Sequence, residues 1–135
     1  MVFSASFVPN LPTVLMTSGV LAQTVDERKA EADRLSQQGL KQMQTSQFTD
    51  ALSSFQKALQ IYREIKDRKG ESQSLGNLGL VHLILGKYAQ AIEFHKQDLA
   101  IARELKDSFG EGQALGNLGL VYLLLGNYGK AIEYE

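Results

Sequence analysis

Apolar residues recur at intervals of three or four along the chain from residue 26 onward, which is the spacing of helices that bury one face. The clearest example is the apolar series Phe48, Ala51, Leu52, Phe55, Leu59 and Tyr62. Short polar or glycine-containing pairs interrupt the pattern, and these are Ser46-Gln47, Gly86-Lys87 and Gly126-Asn127. The sequence therefore predicts a series of helices joined by tight turns.

The first predicted helix begins at a capping box, in which the Thr24 hydroxyl accepts from the Glu27 amide and the Glu27 carboxylate accepts from the Thr24 amide. This helix is predicted to end at about Thr45. The later helices are predicted from Phe48 to about Asp67, from Glu71 to Leu85, from Tyr88 to Lys106 and from Glu111 to Leu125. A further helix would begin at Tyr128, and the chain ends about half-way along it.

Two polar connections separate the predicted helices. Residues 66–70 are interpreted as a polar helix end closed by Gly70, and residues 107–110 as the next connection. Glu64 and Arg68 have the i, i+4 spacing of an ion pair on one helix face.

A sequence repeat organises these helices. The segment Leu75-Gly76-Asn77-Leu78-Gly79-Leu80-Val81 recurs unchanged forty residues later, from Leu115 to Val121. Sixteen of the twenty-five positions from Glu71 to His95 are identical in the segment from Glu111 to Glu135. A strict repeat of this length indicates a stacked helical array rather than a single globular core.

The repeated small and aromatic residues are expected to pack the array. Gly79 and Gly119 are expected where the two helices of a unit cross, so that Ala91 and Ala131 can approach closely. Tyr88 and its counterpart forty residues later are expected to fill the space between units. Because one unit cannot cover its own apolar face, each unit depends on its neighbour.

These residues resemble the tetratricopeptide repeat, whose pattern is Trp-x2-Leu-Gly-x2-Tyr followed by Ala-x3-Phe on a helix-turn-helix unit. The matching positions are Leu75, Leu78, Gly79, His82 and Ala91 in the second copy and Leu115, Leu118, Gly119, Tyr122 and Ala131 in the third. The forty-residue period resembles the long-helix subclass found in Pins-type and kinesin-light-chain-type scaffolds and in bacterial signalling arrays. The resemblance implies an all-α, right-handed superhelix of antiparallel helix-turn-helix repeats.

The array is expected to occupy residues 25–135, with repeats at about residues 31–70, 71–110 and 111–135. The last repeat is truncated. Repeat arrays normally finish with a capping element over the final apolar face. The missing cap favours the interpretation that the chain is part of a longer array.

Charge and cysteine content exclude certain partners and certain kinds of site. Fourteen basic and fifteen acidic residues leave no basic excess of the kind that nucleic-acid binding requires. The absence of cysteine excludes disulfides and thiolate metal sites. Because a basic excess is missing, we expect no nucleic-acid partner.

Residues 1–24 differ from the rest, since no charged residue precedes Asp26. The apolar runs at residues 14–16 and 20–22 could form an export signal with a cleavage site before Gln23, although no Lys or Arg precedes Arg28. Two interpretations stay open, an export signal and a disordered tail of a cytoplasmic protein, and the pattern favours export. No run approaches the ~20 apolar residues of a membrane-spanning helix.

The resemblance also implies a concave groove, lined by the first helix of each unit, that takes an extended peptide or a partner helix. The predicted partner-binding residues are Gln73, Asn77, Leu80, Leu83 and Ile84 in the second unit and Gln113, Asn117, Leu120, Leu123 and Leu124 in the third. The first unit offers Asp33, Ser36, Gln37, Leu40, Met43 and Gln44.

Two asparagines are the central candidates in this groove. An asparagine amide carries both donors and an acceptor, so Asn77 and Asn117 could pair with the main chain of a bound peptide. The alternative is that they bond within the helix stack or face water. Ser36 and Leu40 stand where chaperone-tail-binding members of the family carry Lys and Asn, so capture of a C-terminal carboxylate is not expected.

We expect no catalytic centre, cofactor or metal site. The glycines from Gly110 to Gly116 have one residue too many for G-x-G-x-x-G, and a helix rather than a strand precedes them. His82 and His95 occupy repeat positions normally filled by aromatic rings, so both are interpreted as packing residues.

The sequence therefore predicts a non-enzymatic scaffold that binds a protein or peptide and has no small-molecule substrate. The alternative is a structural, self-associating N-terminal arm of a larger signalling or protease-like protein. In that alternative the uncapped edge at Ala131 and Ile132 exposes apolar surface for docking.

Overall fold

A computed structural model describes residues 23–126 of the protein. Its helices are α1 (Val25–Gln44), α2 (Phe48–Glu64), α3 (Arg68–Ile84), α4 (Tyr88–Glu104) and α5 (Ser108–Leu124). The expected all-α array of helical hairpins is confirmed. The signal-like segment and the predicted helix that contains Tyr128, Ala131 and Ile132 lie outside the described residues.

The first helix begins at the predicted capping box. Thr24 Oγ1 accepts from the Glu27 amide at 3.1 Å, and Glu27 Oε1 accepts from the Thr24 amide at 3.3 Å. Asp26 and Glu27 also place negative charge at the positive end of the helix dipole. These interactions stabilise the first turn of α1 against fraying.

The turns between the described helices share one backbone form. A residue with positive φ follows the C-cap of each helix, and these are Ser46 at 61°, Lys66 at 60°, Gly86 at 74°, Lys106 at 55° and Gly126 at 78°. The Lys66 amide donates to Arg63 O at 3.2 Å and the Asp67 amide to Tyr62 O at 2.8 Å, which is the Schellman pattern. The positive-φ residues stand twenty positions apart, so the turn recurs at half the sequence repeat.

The third helix starts earlier than predicted. Asp67 is its N-cap, and Asp67 Oδ1 accepts from the Gly70 amide at 3.0 Å. The prediction that Gly70 closes the preceding helix was wrong, because α2 ends at Glu64 and Gly70 lies in the first turn of α3. A Cβ at Gly70 would stand 2.3 Å from Tyr62 Cδ1, so the glycine admits the tyrosine ring.

The same correction applies one repeat later. Asp107 is the N-cap of α5, and its Oδ1 accepts from the Gly110 amide at 3.0 Å. The predicted connection at residues 107–110 is therefore mostly helix, since α5 begins at Ser108 and α4 ends at Glu104.

Helices that follow one another in the chain pack side by side, from α1 on α2 through to α4 on α5. The backbones of the odd-numbered helices also approach each other, α1 with α3 and α3 with α5, whereas α2 and α4 meet only through side chains, such as Arg63 with Gln97. The odd-numbered helices therefore form the inner layer of the array, and the even-numbered helices diverge on its outer side.

The main core spans the boundary between successive units. Phe55 of α2 and Leu75, Leu78 and Val81 of α3 are fully buried in one cluster that also includes Ile101 of α4. Burying each such side chain contributes about 1.5–3 kcal/mol. Because this cluster draws on helices of two units, its burial depends on the packing of one unit against the next, as the repeat pattern predicts.

The close contact at Gly79 involves a different partner from the one predicted. A Cβ at Gly79 would stand 2.4 Å from Cε1 of His95, so the glycine admits the imidazole ring rather than Ala91. Ala91 is itself fully buried. In the first unit Gly39 admits the ring of Phe55 in the same way, with Cε1 2.6 Å from the Cβ position.

Some ion pairs join different helices. The predicted pair of Glu64 with Arg68 was wrong, because the chain turns between the two residues. Glu64 instead accepts from Arg28, and Arg68 pairs with Glu104 at 2.8 Å. Each of these pairs links the first helix of a unit to the second.

Candidate functional site

The inner layer encloses a groove of about 760 Å³, which we call the inner groove. Helices α1, α3 and α5 supply most of its lining, and α2, α4 and the turn before α5 supply the rest. Its lining residues are Asp33, Ser36, Gln37, Leu40, Tyr62, Lys69, Ser72, Gln73, Gly76, Asn77, Leu80, Asp98, Leu105, Asp107, Phe109, Gly110, Gln113 and Asn117. The groove is thus a mixed polar and apolar surface that crosses all three units.

The structure brings half of the predicted partner-binding residues together in this groove. They are Gln73, Asn77 and Leu80 of α3 and Gln113 and Asn117 of α5. The other five, Leu83, Ile84, Leu120, Leu123 and Leu124, are not among its lining residues. Four of those are exposed, from 43% for Leu123 to 52% for Ile84 and Leu124, and Leu83 is half-buried.

In the first unit, four of the six predicted groove residues line the inner groove. These are Asp33, Ser36, Gln37 and Leu40. Met43 instead packs against the main core. The C-terminal ends of the inner helices therefore contribute less to the groove than the sequence register predicts.

Asn77 and Asn117 occupy equivalent places on adjacent inner helices. Both side chains are half-buried and line the groove. Neither amide has a hydrogen-bonding partner among residues 23–126. Each therefore has its donors and its acceptor free for a ligand in the groove.

Asp98 reaches the groove from α4, behind the inner layer. Asp98 is only 8% exposed, and one of its carboxylate oxygens accepts from the Ser72 hydroxyl. A Cβ at Gly76 would stand 2.9 Å from the other oxygen, Asp98 Oδ2. Burial raises the pKa of the Asp98 carboxyl, the Ser72 hydrogen bond lowers it, and the charge of Asp107 raises it further.

Several groove residues were missed, because the sequence register left out the second helix of each unit, the turns and the first residues of α3 and α5. These are Tyr62, Asp98, Leu105, Asp107 and Phe109, together with Lys69 and Ser72 of α3. One signal was present for Asp98, which interrupts an apolar helix face where the first unit carries Ala58. The others depend on where the helices start and how the turns bend.

At the end of the groove formed by the first unit, Asp33 is hydrogen-bonded within the chain. Tyr62 donates to Asp33 Oδ1 at 2.6 Å, and Lys29 Nζ lies 3.3 Å from the same oxygen. Burial, and then the hydrogen bond to Asp33, raise the pKa of Tyr62. The Asp33 carboxylate is therefore already occupied by partners within the chain.

Both histidines are packing residues, as predicted. His82 is 8% exposed, its Nδ1 lies 2.8 Å from Leu78 O, and its ring centroid lies 5.0 Å from that of Phe94. His95 is fully buried, and neither of its ring nitrogens has a hydrogen-bonding partner. Burial lowers the pKa of His95 to about 4, so the ring is neutral near pH 7.

Residues 23–126 contain no group of three or more His, Asp or Glu side chains arranged to hold a metal ion. Within the same residues, no helix combines the length and the apolar character that crossing a membrane requires.

The repeats and their packing identify the family. The sequence matches the tetratricopeptide repeat over residues 35–104 and again over residues 77–135. The protein belongs to the tetratricopeptide repeat family, whose repeats form non-catalytic scaffolds and mediate protein–protein interaction. A comparison with curated protein sequences found no match.

Solved structures with the same architecture come from several organisms. The TPR domain of FLU from Arabidopsis is 27% identical, with a TM-score of 0.76 over 79% of this chain and 90% of that one. Aspartyl phosphate phosphatase F from Bacillus subtilis is 22% identical, with a TM-score of 0.76 over 79% of this chain and 28% of that one.

The N-terminal domain of stress-induced protein-1 (STI-1) from C. elegans is 16% identical, with a TM-score of 0.67 over 79% of this chain and 80% of that one. At these identities, the resemblance to the phosphatase and to stress-induced protein-1 concerns the fold alone.

Proposed function

We propose that the chain is a non-enzymatic scaffold that binds an extended peptide or a partner helix of another protein in the inner groove. The observation that carries this proposal is the pair of half-buried amides, Asn77 and Asn117, which face the groove without partners among residues 23–126. An asparagine amide offers both donors and an acceptor, so these two amides can pair with the main chain of a bound peptide.

The spacing of the two amides suits a polypeptide main chain. They lie on adjacent inner helices, and helices in contact are about 8–10 Å apart. A peptide that crosses the groove rises ~3.3 Å per residue, so main-chain groups about three residues apart could reach both amides. Main-chain pairing would fix the peptide in place whatever its side chains.

Apolar groups beside the amides would add contact area. Leu80 lines the groove next to Asn77, and Leu40 of α1 lies on the same surface. Leu40 is 40% exposed. Covering such side chains contributes ~25 cal/mol for each Å² of apolar surface that is removed from water.

Capture of partners by the full chain tests the proposal. Proteins captured from the source cells would be compared between the unaltered chain, the Asn77→Ala/Asn117→Ala variant and a control, Gln56→Ala/Gln90→Ala, which removes two exposed amides from the outer helices. We expect a purified partner to bind the unaltered chain and the control equally and the asparagine variant at least tenfold more weakly. Equal binding by all three, at equal helicity by circular dichroism, would exclude the asparagines from recognition.

We also propose which ligands the groove does not bind and how residues 1–22 act. The groove binds neither nucleic acid nor a small-molecule substrate, and residues 1–22 direct export if they act as a signal. Detection of the mature chain in culture medium, with its N-terminus at Gln23, would support export. An intact N-terminus inside the cell would contradict it.

A further inference from the structure

We propose that the inner groove selects partners by a Lys or Arg side chain, which binds between the carboxylates of Asp98 and Asp107. This inference rests on the proposed function, because it assigns the side-chain specificity of the same groove. It commits the groove to one kind of occupant, an extended segment that carries a basic residue.

Asp98 is not required by the packing of the repeat. The equivalent position in the first unit is Ala58, which is fully buried. A carboxylate that is nine-tenths buried costs free energy unless it is paired, yet no cation lies within 4 Å of Asp98 among residues 23–126. Such an uncompensated group in a cleft is a candidate for ligand binding.

The residues around Asp98 fit it to the groove. Ser72 donates to one of its oxygens and orients the carboxylate. Gly76 leaves the other oxygen room at the groove floor, since a Cβ there would stand 2.9 Å from Asp98 Oδ2. The next unit has Gly112 at the position of Ser72, so the hydroxyl and the glycine are combined with a carboxylate only in the second unit.

Asp107 supplies a second carboxylate to the same groove. One of its oxygens accepts from the Gly110 amide as the N-cap of α5, and the other has no partner among the described residues. Asp98 and Asp107 both line the groove, and the charge of Asp107 raises the pKa of Asp98. A cation placed between them would relieve this repulsion and gain charge-assisted hydrogen bonds.

The balance of charge in the groove favours a basic ligand. Its charged lining residues are Asp33, Lys69, Asp98 and Asp107. Asp33 is already bound to Lys29 and Tyr62, and Lys69 forms no ion pair with either remaining aspartate. The two uncompensated carboxylates would repel an acidic peptide and attract a basic one.

An apolar surface beside the carboxylates suits the stem of a long basic side chain. Phe109, two residues beyond Asp107, is 76% exposed and lines the groove together with Leu105, which is 41% exposed. Lys and Arg bury their methylene stems on apolar surface while the charged group binds elsewhere. Arg also stacks on aromatic rings.

A peptide-pool experiment tests the inference. Heptapeptides with Ala, Leu, Ser and Thr randomised at six positions would carry Arg, Lys, citrulline or Glu at the centre. The immobilised full chain would be exposed to each pool at physiological salt, and the retained peptides would be quantified by mass spectrometry. Citrulline has the shape of Arg without its charge, so the comparison isolates the charge.

We expect the Arg and Lys pools to be retained about tenfold more than the citrulline pool, and the Glu pool least. The Asp98→Asn/Asp107→Ser variant should lose this preference, while Asp50→Asn, which removes an exposed charge from α2, should keep it. Ser at position 107 can still cap α5, so the fold should be preserved. Equal helicity by circular dichroism would verify this.

The outcomes separate the two proposals. Retention that depends on Asn77 and Asn117 but shows no preference for Arg or Lys, or keeps that preference without the two carboxylates, overturns this inference and leaves the proposed function standing. Failure to retain any pool, or retention that is indifferent to the asparagines, overturns the proposed function and this inference with it.

Discussion

His95 lies against Gly79 in the place where Phe55 lies against Gly39 one unit earlier. The ring atoms approach the missing Cβ to 2.4 Å in the first case and 2.6 Å in the second. Phe55 fills this space with carbon alone, whereas His95 places two ring nitrogens there without partners. The second unit therefore carries a polar group where the architecture needs only an aromatic ring.

Replacing this ring should stabilise the array. His95→Phe removes a buried, unsatisfied polar group, which costs ~1–3 kcal/mol, and the Phe55 site shows that the larger ring fits such a place. Urea unfolding of the full chain should give a higher midpoint for His95→Phe. The matched variant Phe55→His should lower it, and a lower midpoint for both would contradict the account.

The same variant should change the dependence of stability on pH. The pKa of His95 is lowered to about 4 by burial, from an ordinary value of 6.5. Between these pH values the unfolded chain binds a proton that the folded chain excludes, so the free energy of unfolding falls as the pH drops from 6.5 to about 4. The loss is as much as roughly 3 kcal/mol.

Stability curves of the two proteins between pH 7.5 and pH 4 measure this effect directly. The advantage of His95→Phe should grow as the pH falls through that window, because other titrating groups contribute equally to both proteins. An advantage that is constant with pH would show that the imidazole ionises freely in the folded state.

Two equivalent glycines should respond differently to alanine. Gly116 has no described atom within 4 Å of a Cβ position, so Gly116→Ala should stabilise α5 by ~1 kcal/mol through helix propensity. Gly76→Ala should gain less or destabilise, because its Cβ would meet Asp98 Oδ2 at 2.9 Å. Thermal unfolding of both variants, with Gly76→Ala/Asp98→Ala as the control that removes the conflict, checks this; equal gains would contradict the contact.

The lysines in the turns should tolerate glycine. Lys66 and Lys106 have φ of 60° and 55°, a conformation that costs an L-residue ~1–2 kcal/mol. Glycine removes this cost, but its greater entropy in the unfolded chain offsets part of the gain. Lys66→Gly should therefore stabilise the chain by about 0.5 kcal/mol. Gly86→Ala, at φ 74°, should destabilise by about 1 kcal/mol in the same urea titration. A loss of stability in Lys66→Gly together with a gain in Gly86→Ala would show that the turns are not strained.

Glu71 should matter more to stability than its repeat counterpart Glu111. Glu71 is 7% exposed and binds Arg63 at 3.0 Å and Arg68 at 2.8 Å, whereas Glu111 is more exposed and binds Arg103 at 2.9 Å. Glu71→Ala removes the shared partner of both arginines, although Arg68 stays paired with Glu104, and should destabilise the chain more than Glu111→Ala does. Glu111→Ala should cost less than ~1 kcal/mol. Chemical unfolding of both variants in 0.1 M and 1 M salt distinguishes them, and equal losses would contradict the difference in burial.

Much of the fold follows from sequence periodicity alone. The forty-residue repeat and the three-to-four spacing predicted the helices and their pairing, because those signals are averaged over many residues. The starts of α3 and α5 were mispredicted, since a glycine after a polar run can end one helix or lie in the first turn of the next. The positive-φ residues, which stand twenty positions apart, mark the helix ends in the structure. Lysine is not a typical turn residue, however, so Lys66 and Lys106 could not be recognised as such from the sequence.

The groove was predicted less completely than the fold. Gln73, Asn77, Leu80, Gln113 and Asn117 follow from helix register, because register sets which side of an inner helix faces the groove. Asp98 does not, since it reaches the groove from the outer layer through a gap that exists only because residue 76 is glycine. Such a placement depends on three-dimensional packing between helices of one unit.

The most direct test of the account is a map of the bound groove by nuclear magnetic resonance. The captured partner segment would be added to the nitrogen-15-labelled full chain while the side-chain amide signals of its asparagines and glutamines are followed. The signals of Asn77 and Asn117 should shift most, together with those of Gln73 and Gln113. Shifts confined to Gln56 and Gln60 on the outer face, with both asparagine amides unchanged, would contradict this prediction.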